Sequence, residues 1–132
     1  MTDQLYPEAT HELARRRREL APGAAAAFHG FSQAVFAEGA LPTRTKHLIA
    51  VAVAHVTQCP YCIRGHTRAA AKDGCSDEEL MEAIWVAAEM RAGAAFAHSV
   101  IAIDEMNLAG ASTGAANGGP DKALASGGRH AH

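Results

Sequence analysis

Between Pro42 and the Cys59-Pro60 pair runs the stretch "TRTKHLIAVAVAHVTQ", in which every residue from Leu48 to Val56 except His55 is apolar. A segment apolar on all sides fits burial, either as a helix packed all round or as a buried strand. Its length back to Thr43 and its alanines favour the helix. The rest of the chain agrees, because aromatic residues make up only 5% and alanine is abundant. Strand-favouring side chains are scarce, so the expected fold is all-α: a compact bundle of five to six helices.

Punctuation along the chain sets the helix limits. "ATHELARRRREL" predicts a first helix, broken at Pro22-Gly23, and "AAAAFHGFSQAVFAEG" a second, ended by Gly39. Phe28, Phe31 and Val35 are spaced as a buried stripe of that second helix. Pro42 opens the third. Pro60 suits the first position of a fourth helix, with Cys59 as its cap, and that helix is expected to run to Gly74. Ser76 and Glu79 form a capping box for the fifth, whose apolar face holds Leu80, Met81, Ile84, Trp85, Ala87 and Ala88. Arg91-Ala92-Gly93 is expected to kink or interrupt it before "AAFAHSVIAIDEMNL" continues.

One domain is expected over residues 1–108. The remainder, 109–132, holds six glycines and one large apolar residue, Leu124, and reads as a flexible tail. His130 and His132 within it read as solvated. The run Arg15 to Arg18 spans a full helical turn and cannot form one face, so it reads as a solvated or salt-bridged helix. A formal charge of −2 gives no general attraction to nucleic acid or acidic membranes. No run reaches the roughly 18 consecutive apolar residues of a membrane span, and "MTDQLYPEATHEL" has no cationic head and apolar run of a signal peptide. The cytosol is therefore the expected location, and its reducing pool argues against a structural disulfide among three cysteines.

The chemistry concentrates in "HVTQCPYCIRGHTRAAAKDGC", from His55 to Cys75. At 100° per residue, Cys59, Cys62 and His66 share one helical face. The helix start offers backbone N–H groups and a dipole worth about 0.3–1 kcal/mol, less than the roughly 1.4 kcal/mol of one pKa unit. A nearby base is needed as well, and His66 is placed to serve. Helical neighbours three apart have β-carbons roughly 5–6 Å apart, whereas a relaxed disulfide wants about 3.8 Å. A Cys59–Cys62 bridge must therefore distort the first turn, which makes it easily reduced. Zinc is the chemical rival, since Cys59, Cys62, His66 and Cys75 are a nominal Cys3His set. Three of those ligands would come from one helical face, which is unlike paired knuckles. Haem attachment needs histidine directly after the second cysteine, where Ile63 stands. Cys75, after Gly74, reads as a partly buried small residue.

With these residues in view, positions 41 to 105 resemble the core of the carboxymuconolactone decarboxylase superfamily, in its alkylhydroperoxidase D-like branch with the C-x-x-C-x-x-x-H motif. The resemblance implies an all-α fold assembled into trimers or hexamers. It also implies thiol peroxidase and disulfide reductase activity without metal, haem or flavin, with a dithiol of thioredoxin or lipoyl type as reductant. By the resemblance, Cys62 attacks the hydroperoxide, Cys59 resolves it, and His66 belongs to a proton relay. That relay includes a glutamate twelve residues before the first cysteine, where this chain has His47. His55, two turns further along, is a second candidate for the same role. Glu89 and His98 read as packing or interface residues. The cap position by itself favours Cys59 as the thiolate, while the phase of His66 favours Cys62, and the ordering follows the histidine. The alternatives are a non-catalytic oligomeric binding module and a lactone decarboxylase, the branch that by the resemblance lacks the cysteine pair.

Overall fold

The computed structural model describes residues 5–114. Five helices follow one another: α1 (His11–Leu20), α2 (Pro22–Phe36), α3 (Thr43–Thr57), α4 (Pro60–Lys72) and α5 (Asp77–Thr113). Among the described residues there is no strand. The chain divides into a unit Met1–Gly93, which carries α1 to α4 and the first part of α5, and a unit Ala94–His132.

Local chemistry explains most of the boundaries. Thr10 caps α1 by accepting from the Leu13 amide. Pro22 fills the first position of α2, where a missing N–H costs nothing. Gln58 ends α3 in the left-handed region at φ 57°. Gly74, at φ +88°, turns the chain out of α4, a conformation that suits glycine. The Ser76–Glu79 box closes as expected: the Ser76 amide donates to Glu79 Oε1 at 3.0 Å, and the Glu79 amide to Ser76 Oγ at 3.1 Å.

In the first unit α3 packs on α4 around Val51, Ala70, Cys75 and Leu80, with Leu48 and Ile84 against them. Arg44 of α3 reaches Glu79 Oε2 at 2.6 Å and so ties α3 to the start of α5. Arg91 donates to the Val56 carbonyl at 3.2 Å.

Four expectations change. The stripe Phe28, Phe31 and Val35 is exposed (69%, 65% and 43%), because α2 turns a different side to α3. In α3 Val51 and Ala54 are buried, while Ile49, Val53 and Val56 stay about half exposed, since α4 covers one face only. Helix α5 is continuous through Arg91-Ala92-Gly93. A single glycine costs roughly 1 kcal/mol in a helix, too little to break one with alanine on both sides and Arg91 anchored. The helix also runs past residue 109 to Thr113, so the first residues of the expected tail are helical. His130, His132 and the rest of that tail lie outside the described residues. On the α5 face, Leu80 and Ala87 are buried, whereas Met81 and Trp85 are 53% and 68% exposed.

Every described residue of the second unit is exposed, including Phe96, Val100, Ile101 and Met106. By length and composition alone, α5 meets the requirement for crossing a membrane. Asp104 and Glu105 lie on it, and an apolar helix that packs against protein meets the same requirement.

Candidate active site

Cys59 is the N-cap of α4 and Pro60 its first residue, as the sequence predicts. The cap conformation swings Cys59 Sγ back over the first turn, where it accepts from the Cys62 amide at 3.3 Å. The two sulfurs lie 2.8 Å apart, a hydrogen bond between free thiols and longer than a disulfide of about 2.05 Å. Cys62 is exposed and Cys59 half-buried. This geometry splits their acidities. The Cys62 thiol and the Cys62 amide, both pointing at Cys59 Sγ, lower the Cys59 pKa, with the Tyr61 amide adding to them. The hydrogen bond to Cys59 raises that of Cys62, as do burial and the charge on Cys59. The first proton of the pair therefore leaves more readily from Cys59 than from Cys62. The resemblance gives attack to Cys62; the more acidic thiol is its neighbour.

His66, one turn after Cys62, is half-buried. Its Nδ1 lies 3.2 Å from Nδ1 of His47 on α3. Burial, and then the charge of His47, lower the His66 pKa. Phe36 covers both rings. Its centroid is 4.8 Å from that of His47 at 11° and 4.9 Å from that of His66 at 24°, so both imidazoles stack on one phenyl face. Phe36 is itself held at the end of α2 by three contacts around the α2–α3 turn. Lys46 Nζ donates to the Val35 and Ala37 carbonyls at 2.8 and 2.6 Å, and Thr43 Oγ1 to the Phe36 carbonyl at 2.7 Å.

The structure therefore brings Cys59 to Cys62 and His47 to His66. Among the described residues no hydrogen bond joins His66 to either sulfur; Cys62 and His66 are i,i+4 neighbours, roughly 5–6 Å apart at their β-carbons. His55 is not brought to the pair: its Nδ1 bonds the Val51 carbonyl of its own helix at 2.7 Å. Cys75 sits in the core, 7% exposed, with Val51, Ala70 and Leu80. No group of three His, Cys, Asp or Glu side chains suited to a metal is found among the described residues.

Two residues escaped the sequence reading. Phe36 carries no chemistry of its own, and its role shows only across α2, α3 and α4. Asp73 Oδ2 lies 3.9 Å from His47 Nε2. A signal for it existed: Asp73 is seven residues after His66, on the same helical face.

The carboxymuconolactone decarboxylase family model matches residues 22–105, a span holding every residue of this site. The chain belongs to this family. A solved structure from Methanobacterium thermoautotrophicum is 40% identical, covers 63% of this chain and 93% of that one, and superposes with a TM-score of 0.60. The apo form of a carboxymuconolactone decarboxylase family protein from Legionella pneumophila is 39% identical, with 60% and 70% covered and a TM-score of 0.55. An uncharacterized protein of the cox locus of Paracoccus denitrificans is 56% identical over 101 residues, 75% of this chain and 88% of its own length.

Proposed function

We propose that this family member is a thiol-dependent peroxidase and disulfide reductase that works through Cys59 and Cys62. Family membership alone serves a lactone decarboxylase equally well. The observation that favours redox chemistry is the 2.8 Å contact between two free sulfurs at a helix start, where bonds from Cys62 lower the pKa of Cys59.

The steps follow from that contact. The proton between the sulfurs crosses to Cys59, and the charge passes to the more exposed Cys62, whose higher basicity makes it the better nucleophile. Cys62 thiolate attacks the O–O bond of a hydroperoxide; an S–O bond forms, and the alkoxide leaves with a proton as an alcohol, or as water from hydrogen peroxide. Cys59 then attacks the resulting sulfenic acid, water departs, and the Cys59–Cys62 disulfide forms. An external dithiol reduces it by exchange and is itself oxidised. The 2.8 Å separation leaves a short distance to close, at a cap residue whose backbone is not yet helical. His66 manages the protons. The cycle uses no metal, haem or flavin, and a cytoplasmic dithiol of thioredoxin or lipoyl type suits it as reductant.

The exposed apolar side chains of α2, α3 and α5 belong, in this reading, to contacts between copies in a trimer or hexamer. Sedimentation is expected to show such an assembly at micromolar concentration, and a stable monomer refutes it. The activity is tested by hydroperoxide consumption with a panel of dithiols. Turnover that vanishes without the dithiol supports the proposal; an inert pair with unshifted thiol acidity favours a non-catalytic module, and decarboxylation of a lactone dicarboxylate favours the other branch.

A further inference from the structure

The His47–His66 contact joins two Nδ1 atoms at 3.2 Å, so one ring must donate and the other accept. The direction decides what His66 can do. If Nδ1 of a neutral His66 accepts, its proton sits on Nε2 and the ring offers no lone pair outward. If Nδ1 donates, Nε2 is a free base. What lies beyond His47 breaks the tie: Asp73 Oδ2 stands 3.9 Å from His47 Nε2, at ion-pair distance. A carboxylate there favours the tautomer with a proton on His47 Nε2, which leaves His47 Nδ1 to accept from His66.

Asp73 is also badly placed by the ordinary rules of a helix. It is the C-cap of α4, at the negative end of the dipole, where a carboxylate is repelled. Its side chain has no capping hydrogen bond among the described residues, and the contact of its Oδ2 with His47 Nε2 is the interaction that sets against this repulsion.

We infer that Asp73, His47 and His66 form one proton relay, in which Asp73 acts through His47 to fix the tautomer of His66 and leave its Nε2 as the base serving the thiol pair. When Nε2 takes a proton, the Nδ1 proton of His66 passes to His47 Nδ1, and the imidazolium so formed faces the carboxylate. One proton enters, one is transferred, and the positive charge ends beside Asp73. The arrangement extends by one ring the logic by which an acid orients a catalytic histidine. It places a carboxylate behind His47, where the resemblance puts a glutamate at position 47 itself. Phe36, stacked on both rings, holds the two Nδ1 atoms facing each other. Two charged groups of α3 are engaged elsewhere: Lys46 with the Val35 and Ala37 carbonyls, and Arg44 with Glu79 and the Gly74 carbonyl. Cys62 lies one turn before His66 on α4. The relay rests on the dithiol reading for the source of its proton; Asp73 and His47 are positioning residues.

The test uses the full chain labelled with nitrogen-15 histidine, and Asp73→Asn, Asp73→Glu and His47→Gln variants. Nuclear magnetic resonance at pH 8 reads the tautomers directly, whether or not the protein consumes peroxide, so failure of the peroxidase reading leaves this result standing. In the parent, His66 is expected with its proton on Nδ1 and His47 with its proton on Nε2. Asp73→Asn should move His66 toward the Nε2–H tautomer and slow iodoacetamide alkylation of the thiols by roughly tenfold, part of the 10²–10⁴ a general base supplies. Asp73→Glu should restore most of both, and His47→Gln should disrupt the tautomer as Asp73→Asn does. Unchanged tautomers and an unchanged pH–rate profile in Asp73→Asn overturn the relay, as does a parent protein with His66 protonated on Nε2.

Discussion

At the first turn of α4, Cys59 sits among free backbone N–H groups at the positive end of the helix dipole, where a thiolate is welcome. At the last turn, Asp73 sits among free carbonyls at the negative end, where a carboxylate is not. The same 13-residue helix therefore helps its chemistry at one end and opposes it at the other. Each dipole effect is worth about 0.3–1 kcal/mol, so neither end works by the dipole alone. At the first turn the larger contribution comes from the Cys62 thiol and amide, both bonded to Cys59. At the last turn an imidazole from α3 supplies the missing partner. A helix terminus biases a charge; a neighbouring side chain decides it.

The largest effects are expected at the first turn. Cys59→Ser and Cys62→Ser should each abolish peroxide turnover, since neither sulfur alone can form the disulfide. Mild oxidation of the parent should yield a Cys59–Cys62 bridge with Cys75 free, because Cys75 is buried beside Val51, Ala70 and Leu80. Peptide mapping by mass spectrometry checks this, and a main product bridged through Cys75 contradicts it. Next in size, His66→Ala should reduce thiol reactivity by about 10²-fold or more, the loss of a general base. Full reactivity in that variant would separate the histidine pair from the dithiol altogether.

What the sequence showed and concealed follows the same division. Cys59 as cap, Pro60 as first residue and the Ser76–Glu79 box were legible because each is a contact within one turn. The pairing of His47 with His66 joins residues on two helices, and nothing in the spacing reveals which of His47 and His55 faces α4. The structure answers by turning His55 back onto Val51. Phe36 was concealed for the same reason. The continuity of α5 was misread for another: Gly93 weakens a helix locally, but the surrounding turns outweigh one weak position. The expected burial of Phe28 and Phe31 assumed that periodic apolar residues meet their own chain, and in this chain that surface stays open.

A smaller effect is expected just beyond the last turn. The Arg44 guanidinium, followed by the Ser76 amide, holds the Glu79 pKa down to about 2, from 4.5. The folded state thus binds fewer protons than the unfolded state between those values, so this contribution to stability is complete above pH 4.5 and fades as pH falls toward 2. Both side chains are more than a third exposed (39% and 38%), and solvent screens the pair. Urea midpoints measured at steps from pH 5 down should fall less steeply in Glu79→Gln than in the parent. Parallel slopes would show that Arg44 gives α5 no charge-dependent anchorage.

The smallest effect is the one that tests the comparison itself. If Asp73 is tolerated at the wrong end of α4 for the sake of the histidines, removing its charge should not weaken the fold. Asp73→Asn keeps the side-chain shape and removes the repulsion with the last carbonyls, for an expected gain of about 0.3–1 kcal/mol. The measurement belongs in low salt, where dipole effects are least screened. A small rise in the denaturation midpoint, together with slower thiol alkylation, separates stability from reactivity at one residue and is the mark of a group kept for its chemistry. A fall in the midpoint would instead make Asp73 a structural cap. The two ends of α4 would then both serve the fold, and only the first would serve the reaction.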